Sequence, residues 1–261
     1  MIKTYENEYV NINFIDVSTQ VKDLLNTITL RKFYTYTTFY RLFIPRLFPQ
    51  YDKALYLDSD IVVLNDISKL YNIDIKDNYL GATSDESVLH TKPFIDYVTK
   101  CLGFEDYTKY FNAGILIMNL KKLREEDFEG QFFDLANKYT FTVALDQDYL
   151  NVICKNKIYY FDLSWDKMPL DNVNYDENLI NIIHYNLSMK PWRYDNVKYE
   201  EYFWKYAKNT PYYNKILTIK DSLTKNNSIE DQRHMEYTMD LCKQETHNPN
   251  NYYNKYIRKE D

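Results

Sequence analysis

The chain has 261 residues, and 45% of them are hydrophobic, which is enough to build a full globular core. Its formal net charge is −6 and no long basic block offsets it, which argues against a nucleic-acid partner that relies on phosphate neutralisation. Only 4 glycines are present, and neither a Walker loop nor the dinucleotide fingerprint occurs, which argues against a glycine-built phosphate cradle.

Hydrophobic periodicity predicts strands that alternate with helices along most of the chain. In chain order the predicted elements are a strand at 10–14, helices at 21–30 and 37–42, a strand at 54–57, a helical turn at 67–71, strands at 79–84 and 114–120, helices at 121–138 and 146–154, and strands at 158–163 and 179–185. This alternation predicts an α/β fold with a mostly parallel sheet flanked by helices.

The composition changes near residue 211, where apolar residues become sparse. We therefore expect residues 1–210 to form the globular domain and 211–261 to form a polar extension with one helix near 229–242 and no catalytic role. No apolar stretch approaches the roughly 20 residues of a bilayer-spanning helix, and no signal peptide opens the chain. The cysteines are three, widely spaced and without a Cys-x-x-Cys pair, which predicts reduced thiols and a cytoplasmic setting.

Asp58, Ser59 and Asp60 directly follow the apolar strand 54–57. If both carboxylates share one side of the backbone, they can hold a divalent cation, and that cation can hold a diphosphate. A solvated turn is the commoner explanation of an isolated Asp-x-Asp pair. The position of the pair favours the metal site, because open α/β sheets bind ligands beyond the carboxyl ends of their strands.

Further polar residues fall at the ends of other predicted elements. Asn112, followed by Ala113 and Gly114, can offer its amide to sugar hydroxyls where two small residues let a ligand come close to the backbone; a plain turn is the alternative. Asp146 and Gln147 begin a helix, so N-capping by Asp146 competes with a polar pair that faces a reacting centre.

His184, Lys190, Asp85 and Arg41 complete the candidate set. His184 ends a strand, and a neutral imidazole beside two carboxylates suits Mn²⁺, although a lone histidine is more often structural. Lys190 can neutralise a phosphate. For Asp85 and Arg41, each taken alone, an ordinary surface charge is the commoner explanation.

Taken together, these motifs resemble glycosyltransferase family 8, which includes glycogenin and bacterial lipopolysaccharide galactosyl- and glucosyltransferases. The resemblance covers about residues 11–206. It rests on six motifs in matching order and spacing: Tyr40-Arg41-Leu42, Leu55-Tyr56-Leu57-Asp58-Ser59-Asp60, Gly81-Ala82-Thr83-Ser84-Asp85, Phe111-Asn112-Ala113-Gly114, Asp146-Gln147-Asp148 and His184 to Trp192.

The resemblance implies a GT-A (Rossmann-like) fold and retaining transfer of a hexose, glucose or galactose, from a UDP-sugar to a glycan, a lipid-linked acceptor such as lipopolysaccharide, or a protein. It implies that Asp58, Asp60 and His184 ligate Mn²⁺ or Mg²⁺ and that Lys190 contacts the diphosphate. The residues expected to bind the nucleotide sugar are Arg41, Asp58, Ser59, Asp60, Asp85, Asn112, Ala113, Gly114, Asp146, Gln147 and Lys190, with Gln147 and Asp146 as the catalytic pair. Because Gln147 is a poor nucleophile, front-face attack is favoured over a covalent intermediate.

The chain departs from the family pattern in two places. Leu187 stands where many members carry a glycine whose backbone approaches phosphate. The strand and the Asp/Asn/Tyr-containing loop that bind uracil and ribose in relatives are also missing before residue 10, so we expect an N-terminally truncated family domain.

Three functions remain open from the sequence. The first is a metal-dependent hexosyltransferase, and the second is an inactive fragment of such an enzyme. The third is a haloacid-dehalogenase-like phosphatase with Asp58 as nucleophile and Asp60 as acid. Peripheral contact with the inner face of a membrane, through the tyrosine pairs at 212–213 or 252–253, is an alternative to ordinary surface aromatics.

Overall fold

A computed structural model describes residues 5–25, 36–171, 173–223 and 225–258. The strands are β1 (Lys53–Leu57), β2 (Ile61–Val63), β3 (Leu80–Ala82), β4 (Ile115–Asn119), β5 (Ile158–Tyr160) and β6 (Ile182–His184). The α-helices are α1 (Ser18–Leu25), α2 (Ile44–Leu47), α3 (Ile67–Tyr71), α4 (Glu86–Leu89), α5 (Lys92–Lys100), α6 (Leu120–Glu125), α7 (Phe128–Lys138), α8 (Asp146–Ile153), α9 (Glu200–Ala207), α10 (Tyr213–Asp221) and α11 (Lys225–His247). Shorter 3₁₀ segments include Tyr36–Phe43 and Leu163–Trp165.

The α/β class is confirmed, but the sheet is mixed rather than mostly parallel. Four strands pair in the order β1-β4-β3-β5. The central strand β4 runs antiparallel to both β1 and β3, and the β3–β5 pair is parallel. β2 and β6 form a separate antiparallel pair. Periodicity identifies strands without fixing their direction, which is why the sequence did not predict the position of β4.

The strand predicted at 10–14 does not form in the structure. Val10 makes an isolated bridge to Asn7, and the following residues are irregular, with Phe14 78% exposed. Alternation alone does not make a strand when no neighbouring strand takes its hydrogen bonds. The helix predicted at 21–30 begins earlier, at Ser18, and its part at 26–30 lies outside the described residues.

The helix predicted at 121–138 is divided into α6 and α7. The break lies at Asp127, whose backbone adopts the left-handed conformation with φ 48°. The Asp127 carboxylate accepts a hydrogen bond from the backbone N–H of Gly130 at 3.2 Å, so it caps the first turn of α7. Gly130 therefore sits inside the second helix and does not interrupt the first.

The C-terminal part of the chain packs against the globular core, although the sequence predicted a polar tail. Helix α11 lies against α5, and Cys242 on α11 is fully buried in the main hydrophobic cluster. The Tyr252 ring packs edge-on against the rings of Tyr139 and Phe141, with centroids 5.6 and 5.3 Å away. Tyr252 is therefore only partly exposed, whereas Tyr212 is 51% exposed. Within the described residues, no helix combines the length and apolar character needed to cross a bilayer.

Candidate active site

Asp58, Asp60 and His184 meet at the junction of the two sheets. Asp58 follows β1 and donates its backbone N–H to the Gly114 carbonyl at 2.7 Å, which extends the β1–β4 ladder. The β2–β6 pairing places Ile61 opposite His184, so Asp60 lies next to that histidine. Nε2 of His184 is 3.4 Å from Oδ1 of Asp60 and 3.8 Å from Oδ2 of Asp58. One ligand atom from each residue can thus face a common point.

The chemistry of these three groups fits a divalent cation. Nδ1 of His184 is bonded to Asp166 at 2.8 Å, which leaves Nε2, a buried atom without a hydrogen bond, directed at the two carboxylates. Gly114 leaves the room that the site needs, because a Cβ there would overlap His184 and lie 2.9 Å from Oδ2 of Asp58. Two carboxylate oxygens and one imidazole nitrogen are a suitable donor set for Mn²⁺ or Mg²⁺.

The same groups perturb one another electrostatically. Burial disfavours the charged imidazole, but Asp166 and Asp60 outweigh it and raise the pKa of His184 to about 10. Burial would raise the pKa of Asp60, but His184 and Lys190 lower it well below its usual range. A cation held between these groups would take the place of the imidazole proton, because metal ligands must be deprotonated.

Two cations flank the cluster. Lys190 forms an ion pair with Asp60 and donates to the Tyr185 carbonyl at 2.6 Å. Arg41 is 3.3 Å from Oδ1 of Asp58 and 3.0 Å from Oδ2 of Asp146. The site therefore places a positively charged side chain on each side of the carboxylates.

Asp85, Asn112 and Gln147 form a hydrogen-bonded group beside the cluster. Oδ2 of Asp85 accepts from the Gln147 amide at 2.8 Å and from the Asn112 amide at 3.2 Å. Oε1 of Gln147 accepts from the Ala113 N–H at 2.9 Å, and Oδ1 of Asn112 accepts from the Gly114 N–H at 2.8 Å. These bonds fix both amides in one orientation, so they present a rigid polar surface.

Asp146 does not cap α8, because Leu145 occupies the N-cap position, so the capping interpretation of Asp146 is wrong. The residue before it, Leu145, is buried and adopts φ 52°, a costly conformation for a branched side chain. Asp146 is thereby the first residue of α8 and pairs with Arg41. Burial raises the pKa of Asp146 to about 6, although Arg41 opposes the shift.

A cavity of about 250 Å³ joins these groups. Ten of the predicted site residues line it, namely Arg41, Asp58, Asp60, Asp85, Asn112, Ala113, Gly114, Asp146, Gln147 and His184. Lys190 does not line it but contacts Asp60, and Ser59 is exposed at the turn outside it. The structure therefore brings together nearly all of the residues that the sequence indicated.

Several residues of the site had no clear sequence signal. Asp166 holds His184, and Asp148 accepts hydrogen bonds from the hydroxyls of Tyr97 and Tyr110 at 2.9 and 2.7 Å. Asp148 belongs to the motif at 146–148, and that is the one signal that could have pointed to it. Thr238 of α11 also lines the cavity, so the C-terminal region contributes to its wall.

Leu187 keeps the backbone conformation that favours glycine. Its φ is 55°, its side chain is 45% exposed, and it lines the cavity. A left-handed leucine costs roughly 1–2 kcal/mol relative to an ordinary conformation. Leu187 therefore adopts a conformation that glycine would adopt without this cost, and it adds a side chain to the cavity lining.

The sequence of the chain is similar to those of sugar-transferring enzymes. The model of the family described as "Glycosyl transferase family 8" matches residues 2–196. Glycosyltransferase GlyB of Streptococcus pneumoniae serotype 4 is 28% identical over 247 residues, which cover 86% of this chain and 53% of that protein. General stress protein A of Bacillus subtilis is 30% identical over 191 residues, which cover 65% of this chain and 64% of that protein. The chain spans less than two thirds of the length of either relative.

Solved structures show the same similarity. The bifunctional glycosyltransferase WbbM, in its apo form, superposes with a TM-score of 0.64 at 27% identity and covers 74% of this chain and 39% of that one. The galactosyltransferase LgtC, solved with donor and acceptor sugar analogues, superposes with a TM-score of 0.57 at 27% identity and covers 77% of this chain and 72% of that one. These superpositions confirm the GT-A-type fold.

Proposed function

Because the chain belongs to glycosyltransferase family 8, we propose that it is a metal-dependent retaining transferase that moves glucose or galactose from a UDP-sugar to an acceptor. The main support for the proposal is the cluster of Asp58, Asp60 and His184. This cluster borders a cavity lined by carboxylate and amide side chains that can hydrogen-bond to sugar hydroxyls. The acceptor would be a glycan, a lipid-linked saccharide such as lipopolysaccharide, or a protein.

The cationic side chains would receive the diphosphate of the donor. Lys190 lies beside Asp60 at the edge of the cluster, and Arg41 is held over the ring of Tyr56 at 4.7 Å. A bound Mn²⁺ or Mg²⁺ would supply Lewis-acid stabilisation of the negative charge that develops on departing UDP. Asp58, Asp60 and His184 would hold that ion, and Ser59 would line the nucleotide side of the turn.

The polar group around Gln147 would orient the donor sugar. The Asp85 carboxylate can accept hydrogen bonds from sugar hydroxyls, the Asn112 amide can accept or donate them, and small Ala113 and Gly114 allow close approach to the backbone. Gln147 would lie near the anomeric carbon, with Asp146 and Arg41 beside it. Because binding would fix the reacting groups in one geometry, it would lower the activation barrier of the transfer step.

The charges near Gln147 favour front-face attack over a covalent intermediate. Oδ2 of Asp85 is occupied by two amides, and Asp146 is paired with Arg41. Gln147 itself is an amide and a poor nucleophile. Among these residues none is a free carboxylate, so retention would follow from positioning and leaving-group stabilisation.

The phosphatase hypothesis has less support from the same contacts. A nucleophilic Asp58 would need a free oxygen, yet its Oδ1 accepts from the Tyr56 hydroxyl at 2.6 Å and lies 3.3 Å from Arg41. Its other oxygen faces His184. A carboxylate held from both sides suits ligation of an ion better than attack on phosphorus.

All three cysteines are buried thiols outside any disulfide, which suits a reducing compartment such as the cytoplasm. The exposed ring of Tyr212 can contact the inner face of a membrane peripherally.

Product analysis tests the proposal. The chain is incubated with UDP-glucose or UDP-galactose and Mn²⁺, and UDP, free hexose and inorganic phosphate are quantified, with Asp60→Asn as the matched inactive control. Metal-dependent release of UDP by the wild type alone supports the transferase. Release of inorganic phosphate would support the phosphatase, and absence of any product would support an inactive domain.

A further inference from the structure

We propose that Asp166 is a positioning residue that sets the metal-binding geometry of His184, and that Thr83 in turn orients Asp166. The inference rests on the proposed metal site and extends it to side chains that do not touch the cation. Asp166 was not indicated by the sequence, because it lies outside every motif described above.

The three side chains form a continuous buried chain of hydrogen bonds. Oδ1 of Asp166 is 2.8 Å from Nδ1 of His184, and its Oδ2 accepts from the Thr83 hydroxyl at 3.1 Å. Their exposed fractions are 1% for Thr83 and 2% for both Asp166 and His184. Because both carboxylate oxygens are hydrogen-bonded, the Asp166 side chain is held in one orientation. Its hydrogen bond to Nδ1 then fixes the orientation of the His184 ring.

Backbone pairing keeps Asp166 beside the histidine. The N–H of Lys167 donates to the Ile182 carbonyl at 3.0 Å, and the N–H of His184 donates to the Lys167 carbonyl at 2.9 Å. The segment after the 3₁₀ turn Leu163–Trp165 thus runs alongside β6. The buried side chain of Lys167 pairs with Glu86, so its charge is neutralised without Asp166.

This arrangement has a chemical consequence for the metal site. In the neutral imidazole that a metal ion requires, a carboxylate at Nδ1 keeps the proton on that nitrogen, so the lone pair of Nε2 faces Asp58 and Asp60. It also fixes the ring plane and raises the basicity of the ligand nitrogen. An amide in place of Asp166 can keep a hydrogen bond but not the negative charge, and an alanine keeps neither.

Direct titration with Mn²⁺ tests the proposal without any enzymatic assay. Free Mn²⁺ is measured by electron paramagnetic resonance for the full chain and its variants. We expect Asp166→Asn to weaken Mn²⁺ affinity about 10-fold and Asp166→Ala up to about 100-fold. The matched control is Asp162→Asn. Asp162 is an exposed carboxylate of the same segment, and it accepts a hydrogen bond from the Ser164 N–H. The Mn²⁺ affinity of this variant should equal that of the wild type.

A double-mutant cycle separates positioning from structural support. Thr83→Val should weaken Mn²⁺ binding in the wild type and have no further effect in Asp166→Ala, because Thr83 acts through Asp166. Thermal unfolding without metal reports any general loss of stability, which by itself would not change the affinity of the folded protein.

The outcomes distinguish this inference from the function on which it rests. Wild-type affinity in both Asp166 variants, or additive losses in the cycle, would overturn the positioning role and leave the transferase proposal standing. Absence of Mn²⁺ binding by the wild type would overturn the metal site itself and, with it, this inference.

Discussion

Gly114→Ala should disable the metal site without unfolding the protein. A Cβ at this position would overlap Cε1 of His184 and lie 2.9 Å from Oδ2 of Asp58 and 3.0 Å from Oδ1 of Asn112. Carbon atoms in contact stay about 3.5–4.0 Å apart, so the imidazole must shift by roughly 1 Å. His184 cannot yield easily, because Asp166 holds its other nitrogen in a buried position.

The expected magnitudes follow from this overlap. Metal sites tolerate displacements of about 0.2 Å, so a shift several times larger should weaken Mn²⁺ affinity about 100-fold or more. Overpacking at a buried position typically costs about 1–3 kcal/mol of stability, which lowers the unfolding temperature by several degrees.

Calorimetric titration with Mn²⁺, paired with thermal unfolding, measures both effects. Gly130→Ala is the matched control, because its added Cβ would meet the exposed side chain of Asp127, which caps α7, and no residue of α7 lines the cavity. That variant should keep wild-type Mn²⁺ affinity. A folded Gly114→Ala protein with wild-type affinity would refute the assignment of these residues to a metal site.

Three further predictions concern catalysis, the pH dependence of stability and the C-terminal helix. Gln147→Ala should lower kcat far more than it weakens UDP binding, and equal losses in the two would contradict a transition-state role. Burial raises the pKa of Asp146 from 3.8 to about 6, so this carboxyl stabilises the fold at low pH and that contribution is lost as the pH rises through about 6; Asp146→Asn should remove this slope from urea unfolding measured across that range. Removal of the chain from Lys225 onward deletes α11 with its buried Cys242 and should lower the unfolding temperature. An unchanged unfolding temperature would show that this helix does not stabilise the fold.

The candidate site was largely predictable because its signals are local. Asp58 and Asp60 lie within three residues after an apolar strand, and Asn112 lies three residues before another. Such residues must emerge at sheet ends whatever the order of the strands. The resemblance to a known family then indicated that these separate ends converge, and the cavity contains ten of the twelve residues named in advance.

The remaining features depend on contacts between distant parts of the chain. Asp166 reaches His184 because its segment pairs alongside β6, and no pattern near Asp166 records that pairing. Helix α11 has a mostly polar sequence, and the burial of Cys242 depends on where the helix docks on α5. The mixed direction of the sheet has the same origin, because antiparallel and parallel strands can share one hydrophobic pattern.

The most direct test of the account is calorimetric titration of the chain with UDP, with and without Mn²⁺, for the wild type and Asp60→Asn. We predict UDP binding that requires Mn²⁺ in the wild type and that is lost in Asp60→Asn, while both proteins unfold at similar temperatures. Equal UDP affinity with and without the metal, or unchanged Mn²⁺-dependent binding in Asp60→Asn, would contradict the central claim that Asp58, Asp60 and His184 hold the ion that binds the donor.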